Sequence, residues 1–332
     1  MKTLTQNEVT ARLRALRRAV ILFHVRPDGD CVGSAFALRR TLELYGADVW
    51  CVCAHRVPPR LAFLAGDQPG VLPSDLPNRF AGAPVITVDT ASPGQMGDAA
   101  AAFLPRVELM IDHHGTGEPY ADHYICPEAS STGEVLLPIL RDLLGDRPMD
   151  GAVSSRLFAA ISSDTGCFKF SNATAAAHRA AAELMEAGME IPADEVNRLL
   201  FDCKTAAVLT AEKIALSNLQ VFCEGRVAVT AITAAERSAA GLLAEDTDTM
   251  IDTIRVLDGV EISATLKEQE PRPGEPHLWR CSLRSTGADV AAIAAKFGGG
   301  GHRRAAGCSV EADTVEEATK QLLQGLCPCD LA

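Results

Sequence analysis

The sequence predicts an α/β protein: an N-terminal domain with a mostly parallel sheet flanked by helices, followed by a smaller α/β C-terminal domain. Three observations carry this. The chain has 332 residues, a length that calls for about two hydrophobic cores. Through the first half, short runs rich in Val, Ile and Leu alternate with amphipathic helical stretches, the pattern of a parallel α/β sheet. Beyond residue 219 the alternation gives way to three strand-like runs followed by helices. The expected division is a first domain over residues 1–190, a helical linker over 191–219 and a second domain over 220–332.

The elements follow in order. Apolar runs predict strands over residues 19–24, 49–54, 84–89 and 107–112. Helical spacing covers 33–45, closed by Gly46 as a C-cap, then 133–144 and 152–161. An Ala-rich helix runs from about residue 173 to Gly188, and Ile191-Pro192 opens a helical stretch reaching about residue 219. In the second half, strands are expected over 226–232, 260–267 and 278–284, with helices over 289–297 and 314–326. Between those helices stand four consecutive glycines, Gly298 to Gly301. There is no internal repeat.

Composition excludes several functions. Lys plus Arg total 31 against 43 Asp plus Glu, a net charge of −12 with no basic tail, which disfavours a sequence-independent binder of long duplex DNA. Aromatics make up 5 %, too few for a broad base-stacking platform. The apolar run over residues 19–23 is too short to span a bilayer, so no membrane association is expected. Eleven cysteines without a repeated CxxC spacing argue against a disulfide framework or a zinc ribbon, and a reducing cytoplasm fits. Cys51 with Cys53, and Cys327 with Cys329, read as buried free thiols; Cys31 would sense oxidation if exposed. His55, His123, His178 and His277 match no motif.

Three first-half strands end in residues able to hold a metal. His24 follows AVILF, Asp89 follows VITV, and Asp112, His113 and His114 follow ELMI. Ligand crevices of open α/β sheets lie outside the carboxyl ends of the strands, so these residues should converge. After His24, Pro27 and Gly29 force a turn that places Asp28 and Asp30 just before a helix, where they would repel without a cation. An Asx-turn with Asp30 as a helix cap is the competing reading. Asp164, in ISSDTG, offers another carboxylate. Imidazole and carboxylate donors without cysteine suit Mn²⁺ or Mg²⁺ better than structural zinc, and a shared carboxylate would hold two ions about 3.5–4 Å apart. In the second half, GGGGHRRAAG reads as an anion-binding glycine loop with basic donors, or as a hairpin or helix C-cap with a solvated basic tip.

The HVRPDGDCVGS, VDTAS, IDHHGTG, ISSDTGCFKFSNAT and GGGGHRRAAG segments span about residues 20 to 310. In content and order they resemble the DHH phosphoesterases, specifically the standalone form joining a DHH domain to a DHHA1 domain, which includes bacterial oligoribonucleases that also act as pAp phosphatases. The resemblance implies two Mn²⁺, replaceable by Mg²⁺ or Co²⁺. One ion would sit on His24, Asp28 and Asp89, the other on Asp30, Asp89, His113 and Asp164, with Asp89 as the bridge. Asp112 would orient His113, and His114 would contact the scissile phosphate. Arg284, Gly299, Gly300, Gly301, His302 and Arg303 would bind substrate.

The implied reaction is attack of a metal-bridging hydroxide on phosphorus. Its substrates would be short oligoribonucleotides, dinucleotides of the pApA and pGpG type, and 3'-phosphoadenosine 5'-phosphate. A soluble cyclic di-AMP phosphodiesterase is the nearest alternative, and a non-catalytic nucleotide-binding protein is a third reading; a homodimer stays open. One departure stands out. Many relatives carry an arginine about six residues after the bridging Asp, where this chain reads Ala91-Ser92-Pro93-Gly94-Gln95-Met96.

Overall fold

The computed structural model describes residues 1–270, 274 and 276–326, apart from the side chains of Ala100 and His302; Cys327 and Cys329 lie outside the described residues. Two compact units emerge, Met1–Cys203 and Lys204–Ala332.

In the first unit, strands β1 (Arg18–Phe23), β2 (Asp48–Val52), β3 (Val85–Val88), β4 (Val107–Asp112) and β5 (His123–Ile125) form an all-parallel sheet in the order β2-β1-β3-β4-β5. Alternation along β1 feeds both faces. Ala19, Ile21 and Phe23 join one core, while Val20 and Leu22 pack with Phe80, Met96 and Phe103 on the other side.

The larger core is covered by α1 (Gln6–Ala15), α2 (Gly29–Leu44), α5 (Thr132–Leu144), α6 (Gly151–Asp164) and α7 (Ala175–Ala187). Single-turn helices α3 (Ala62–Ala65) and α4 (Ala100–Phe103) lie in the connections. Side-chain caps set the helix starts: Asp28 for α2, Ser131 for α5, Asp150 for α6 and Thr174 for α7.

The continuous helix expected over 192–219 is broken. α8 (Ala193–Asn197) runs into a π-turn over residues 198–202, and a fresh helix, α9 (Ala206–Ser217), starts where the Thr205 hydroxyl accepts from the Val208 amide. Residues 191–203 belong to the first unit and 204–219 to the second.

The second unit holds a mixed sheet in the order β10-β11-β9-β8-β7-β6, made of β6 (Gln220–Phe222), β7 (Val227–Ile232), β8 (Ile262–Glu268), β9 (Leu278–Ser285), β10 (Gly300–His302) and β11 (Ala305–Glu311). Only β7 and β8 pair in parallel. Strand β7 again divides its side chains: Val227, Val229 and Ala231 join the core beneath α12 (Val290–Ala295) and α13 (Val315–Leu326). Ala228 and Ile232 join Ala211 and Ala215 of α9 and Ile251 and Ile254 of α11 (Met250–Ile254). The short helix α10 (Ala234–Ala239) follows β7. Eight described cysteines are free thiols, Cys51 and Cys53 buried among them, and Cys223 is held in a disulfide.

Glycines let α2, α5 and α6 approach closely. A Cβ on Gly33 would stand 2.5 Å from the Arg156 carbonyl oxygen and 3.2 Å from the Ala160 Cβ, and one on Gly133 would stand 2.4 Å from that same Cβ. Gly33→Ala should therefore cost about 1–3 kcal/mol, since overpacking outweighs the gain in helix propensity. Thermal melting followed by circular dichroism should show Tm lower by several degrees; a variant that melts with the wild type would mean the helices have room to separate.

Candidate metal centre

The strand order brings the predicted residues together. β1, β3 and β4 are neighbours, so His24 after β1, Asp89 after β3, and Asp112 to His114 at the end of β4 line one carboxyl edge. The chain leaves β1 for β2 on one side and returns as β3 on the other, so His24 and Asp89 flank the point where strand order reverses, the usual place for a ligand. Helix α2 contributes Asp28 as its cap and Asp30 in its first turn, and α6 delivers Asp164 as its last residue.

These side chains form one continuous cluster. His24 Nε2 lies 3.5 Å from Asp28 Oδ2 and 3.4 Å from Asp89 Oδ2. The other oxygen of Asp89 faces His113 Nε2 at 3.6 Å, and that nitrogen also stands 3.3 Å from Asp164 Oδ2 and 3.8 Å from Asp30 Oδ2. Such separations are long for hydrogen bonds. They suit pairs of donors that share an ion with bonds of about 2.0–2.2 Å. Three overlapping donor groups result: His24, Asp28, Cys31 and Asp89; Asp89, His113 and His114; Asp30, His113 and Asp164. All six residues expected to hold metal are among them.

Asp28, Asp30 and Asp89 are each pinned by hydrogen bonds to the carboxylate. Asp28 Oδ1 accepts from the amides of Asp30 and Cys31, both at 3.0 Å, which leaves Oδ2 toward His24. Asp30 accepts from the Thr132 amide at 2.7 Å, the Gly133 amide at 3.0 Å and the Ser34 hydroxyl at 2.9 Å. The Thr132 hydroxyl donates to Asp89 Oδ1 at 3.0 Å. Asp89 itself has φ +54, in the left-handed region where Asp is among the tolerated residues. Asn172 Nδ2 donates to the carbonyls of Asp164 and Ser130, each at 3.1 Å, tying the end of α6 to the segment that opens α5.

Thr132, Ser34 and Asn172 were not singled out in the sequence. The signal for the first is Ser131-Thr132-Gly133-Glu134, an S-x-x-E pattern of a helix start whose free amides meet an anion.

Electrostatics follow from this crowding. Burial, then the charges of Asp89 and Asp164, push the Asp30 carboxyl well above its usual range; burial, Asp28 and Asp89 do the same to Asp164. Burial also acts on Asp28 and Asp89, but His24 beside them outweighs it and holds both below the usual range. His24 stays protonated more readily than free histidine despite its burial, because Cys31, Asp28 and Asp89 face it. Among the described residues, every ion pair made by these four aspartates is with a histidine, never with Lys or Arg. Buried acids paired with histidine and not with Lys or Arg, at donor spacings that fit an ion, match a divalent metal centre.

Asp112 differs from its expected part. Its Oδ1 accepts from the backbone amide of His113 at 2.8 Å, but the ring it holds is that of His114, through Nδ1 at 2.7 Å. The His113 ring instead has Nδ1 3.3 Å from the Ala129 carbonyl. The two rings lie side by side, centroids 4.7 Å apart, and the Asp112 oxygen is taken by the nearer His114 nitrogen. Burial opposes charge on His114, yet the Asp112 hydrogen bond raises its pKa. Cys31 is fully buried, which removes the condition for an exposed redox sensor. In the stretch lacking arginine, Gln95 turns inward: its Oε1 accepts from the Ala91 amide at 2.6 Å, and its carbonyl accepts from Val25 at 2.7 Å, joining the loops after β1 and β3.

In the second unit, Arg284 of β9 pairs in register with Ala305 of β11, beside the hairpin that carries Gly299, Gly300, Gly301 and Arg303. Arg303 and Arg304 are exposed, while burial lowers the pKa of Arg284, whose Nη1 donates to the Leu283 carbonyl. The His302 side chain lies outside the described part. Part of the glycine run serves helix capping and close packing. The amides of Gly298 and Gly299 cap α12 by donating to the Ala295 and Ala294 carbonyls. A Cβ on Gly299 would stand 2.1 Å from the Gly307 carbonyl oxygen.

Comparison with known proteins agrees in both units. The model of the DHH family N-terminal domain matches residues 18–161, and that of the DHHA1 domain matches residues 224–326. The bifunctional oligoribonuclease and PAP phosphatase NrnA of Thermus thermophilus is 31 % identical over 92 % of this chain and 88 % of its own. The cyclic-di-AMP phosphodiesterase PdeA of Listeria monocytogenes is 25 % identical over 92 % of this chain but 47 % of its own length. An exopolyphosphatase-related protein from Bacteroides fragilis shares the fold with a TM-score of 0.84 at 23 % identity, covering 97 % of this chain and 95 % of that one. On the NrnA match and both domain matches, the chain belongs to the DHH family, in the branch that follows its DHH domain with a DHHA1 domain.

Proposed function

We propose that this chain is a metal-dependent phosphoesterase that hydrolyses short oligoribonucleotides, including pApA- and pGpG-type dinucleotides, and 3'-phosphoadenosine 5'-phosphate. The observation that carries the reading is Asp89, whose two oxygens face two different histidines, the arrangement expected of a carboxylate that two ions would share. Likeness to NrnA supplies the substrate class. His24, Asp28 and Asp89 would hold one ion, and Asp30, Asp89, His113 and Asp164 the other; Mn²⁺ suits this donor set, with Mg²⁺ or Co²⁺ as substitutes. When bound, such ions supply Lewis acidity at the phosphoryl group and acidify an attacking water.

The chain's own residues do the rest. Asp112 fixes the His114 ring and favours its protonated form, which suits His114 to steady charge on the phosphoryl oxygens or to give a proton to the leaving oxygen. In the second unit, Arg284, Arg303, His302 and Gly299 to Gly301 are the residues we assign to substrate binding. No helix among the described residues is long and apolar enough to cross a membrane, and a cytoplasmic enzyme with small anionic substrates fits the reading. Likeness to PdeA favours a second reading, a cyclic di-AMP phosphodiesterase.

A panel with Mn²⁺ separates the two. Linear dinucleotides and 3'-phosphoadenosine 5'-phosphate should be hydrolysed faster than cyclic di-AMP, and His113→Ala should lower turnover about 100-fold or more, beyond the loss seen for outer partners of metal ligands. Cleavage of cyclic di-AMP alone would make the second reading correct, and no cleavage of any would point to a nucleotide-binding protein. Asp112→Asn should lower kcat by about 10²-fold while metal content, measured by elemental analysis, stays near wild type; equal loss of metal would assign Asp112 to ion binding instead.

Metal should also stabilise the fold. Mn²⁺ at about 100 times its Kd should add roughly 2.7 kcal/mol per ion, raising Tm, and chelation should reverse it. The sign of the pH dependence follows from Asp30 and Asp164. Their raised pKa values make the folded, metal-free chain hold protons that the unfolded chain has released, so its stability falls as pH climbs from the usual carboxylate range through the raised values. Ions displace those protons, so the Mn²⁺-induced rise in Tm should grow with pH over that window; a shift that shrinks would contradict this assignment.

A further inference from the structure

We propose that Cys31 is a further donor to the ion held by His24, and that the two halves of the centre therefore differ in chemical hardness. The His24 half, with a sulfur, would prefer a borderline ion such as Co²⁺ or Zn²⁺; the His113 half, with oxygen and imidazole alone, would prefer Mn²⁺ or Mg²⁺. This rests on the metal-centre reading above.

The sulfur is in place. Cys31 lies in the first turn of α2 with 0 % of its surface exposed, and its Sγ, an oxygen each of Asp28 and Asp89 and a ring nitrogen of His24 all lie within 4.8 Å of one another. His24 Nε2 stands 3.5 Å from Asp28 Oδ2 and 3.4 Å from Asp89 Oδ2. An imidazole, two carboxylates and a sulfur thus gather at one place. From behind, the Asp28 amide donates to Sγ at 3.3 Å, the kind of support that orients a ligand sulfur.

The thiols of Cys53, Cys51 and Cys31 each donate to a backbone carbonyl, of His24, Ala35 and Asp28, but among these three sulfurs only that of Cys31 lies within the donor group. The donor groups around His113 contain no sulfur. Coordination would break the S–H bond, form an S–metal bond and release the proton to solvent.

Co²⁺ titration of the metal-free full-length chain reads this directly. The wild type should show a near-ultraviolet sulfur-to-cobalt charge-transfer band that saturates with one equivalent of Co²⁺, while visible d–d absorption continues to grow into a second. Cys31→Ala should lose the first band, keep the d–d absorption and bind Co²⁺ at that half about 10–100-fold more weakly. Circular dichroism checks its fold, and Cys31→Ser serves the same purpose should the alanine variant not fold. Co²⁺ binding without a charge-transfer band, or a band that survives in Cys31→Ala, overturns the proposal while the metal centre stands. No Co²⁺ bound by the wild type overturns both.

Discussion

Repulsion among Asp28, Asp30, Asp89 and Asp164 is the constraint around which the first unit is arranged. Two unit charges about 4 Å apart cost on the order of 4 kcal/mol where the effective dielectric constant is near 20. A helix N-terminus returns about 0.3–1 kcal/mol to a nearby anion. The starts of α2 and α5 both point at this cluster, through the amides that reach Asp28 and Asp30. By these magnitudes two helix ends cannot balance several carboxylates. Protonation of His24 offsets part of it. What remains is met either by protons held on Asp30 and Asp164 or by cations, and the donor geometry favours cations.

The cluster is affordable because its carboxylates also have structural duties. Asp28 caps α2 with one oxygen and faces His24 with the other. Asp30 joins the beginnings of α2 and α5, and Thr132 at the start of α5 reaches across to Asp89. The same contact region needs glycine at positions 33 and 133, where helix backbones meet too closely for a side chain. Packing and chemistry are therefore coupled: the helices that bury the sheet are held at the distance that brings their termini to the site. A change that spreads α2 from α6 should move Asp30 and Asp164 apart, which links a packing defect to the metal donors.

Much of this was legible in the sequence because a parallel sheet collects distant residues at one edge. His24, Asp89 and Asp112 each close an apolar run, and such closing positions converge whenever their strands are neighbours. The partner of Asp112 was not legible, since whether it meets the ring of His113 or His114 depends on side-chain direction within two adjacent residues. Strands β5 and β6, three residues each, carry too short a pattern to register. Helix continuity across residues 203–205 failed because Cys203 leaves the π-turn in extended backbone and Thr205 caps the start of a new helix. Glycines 298 to 301 show a different limit: a run of small residues does not say which positions need to be small, and here Gly299 and Gly301 meet the chain's own backbone while Gly298 and Gly300 have open space.

Net charge looks different once the site is known. A chain at −12 would repel a polyanion, yet Asp28, Asp30, Asp89, Asp112 and Asp164 belong to the acid excess and gather at one place. Two divalent ions there would bring the charge to about −8 and, more to the point, cancel most of the negative charge gathered at the site. The surface elsewhere stays acidic, so a long nucleic acid would meet repulsion over most of its length with no counterion release to offset it. A substrate a few nucleotides long would feel chiefly the ions. On this argument substrate length is limited first by the charge pattern, before any wall or lid has to exclude longer chains.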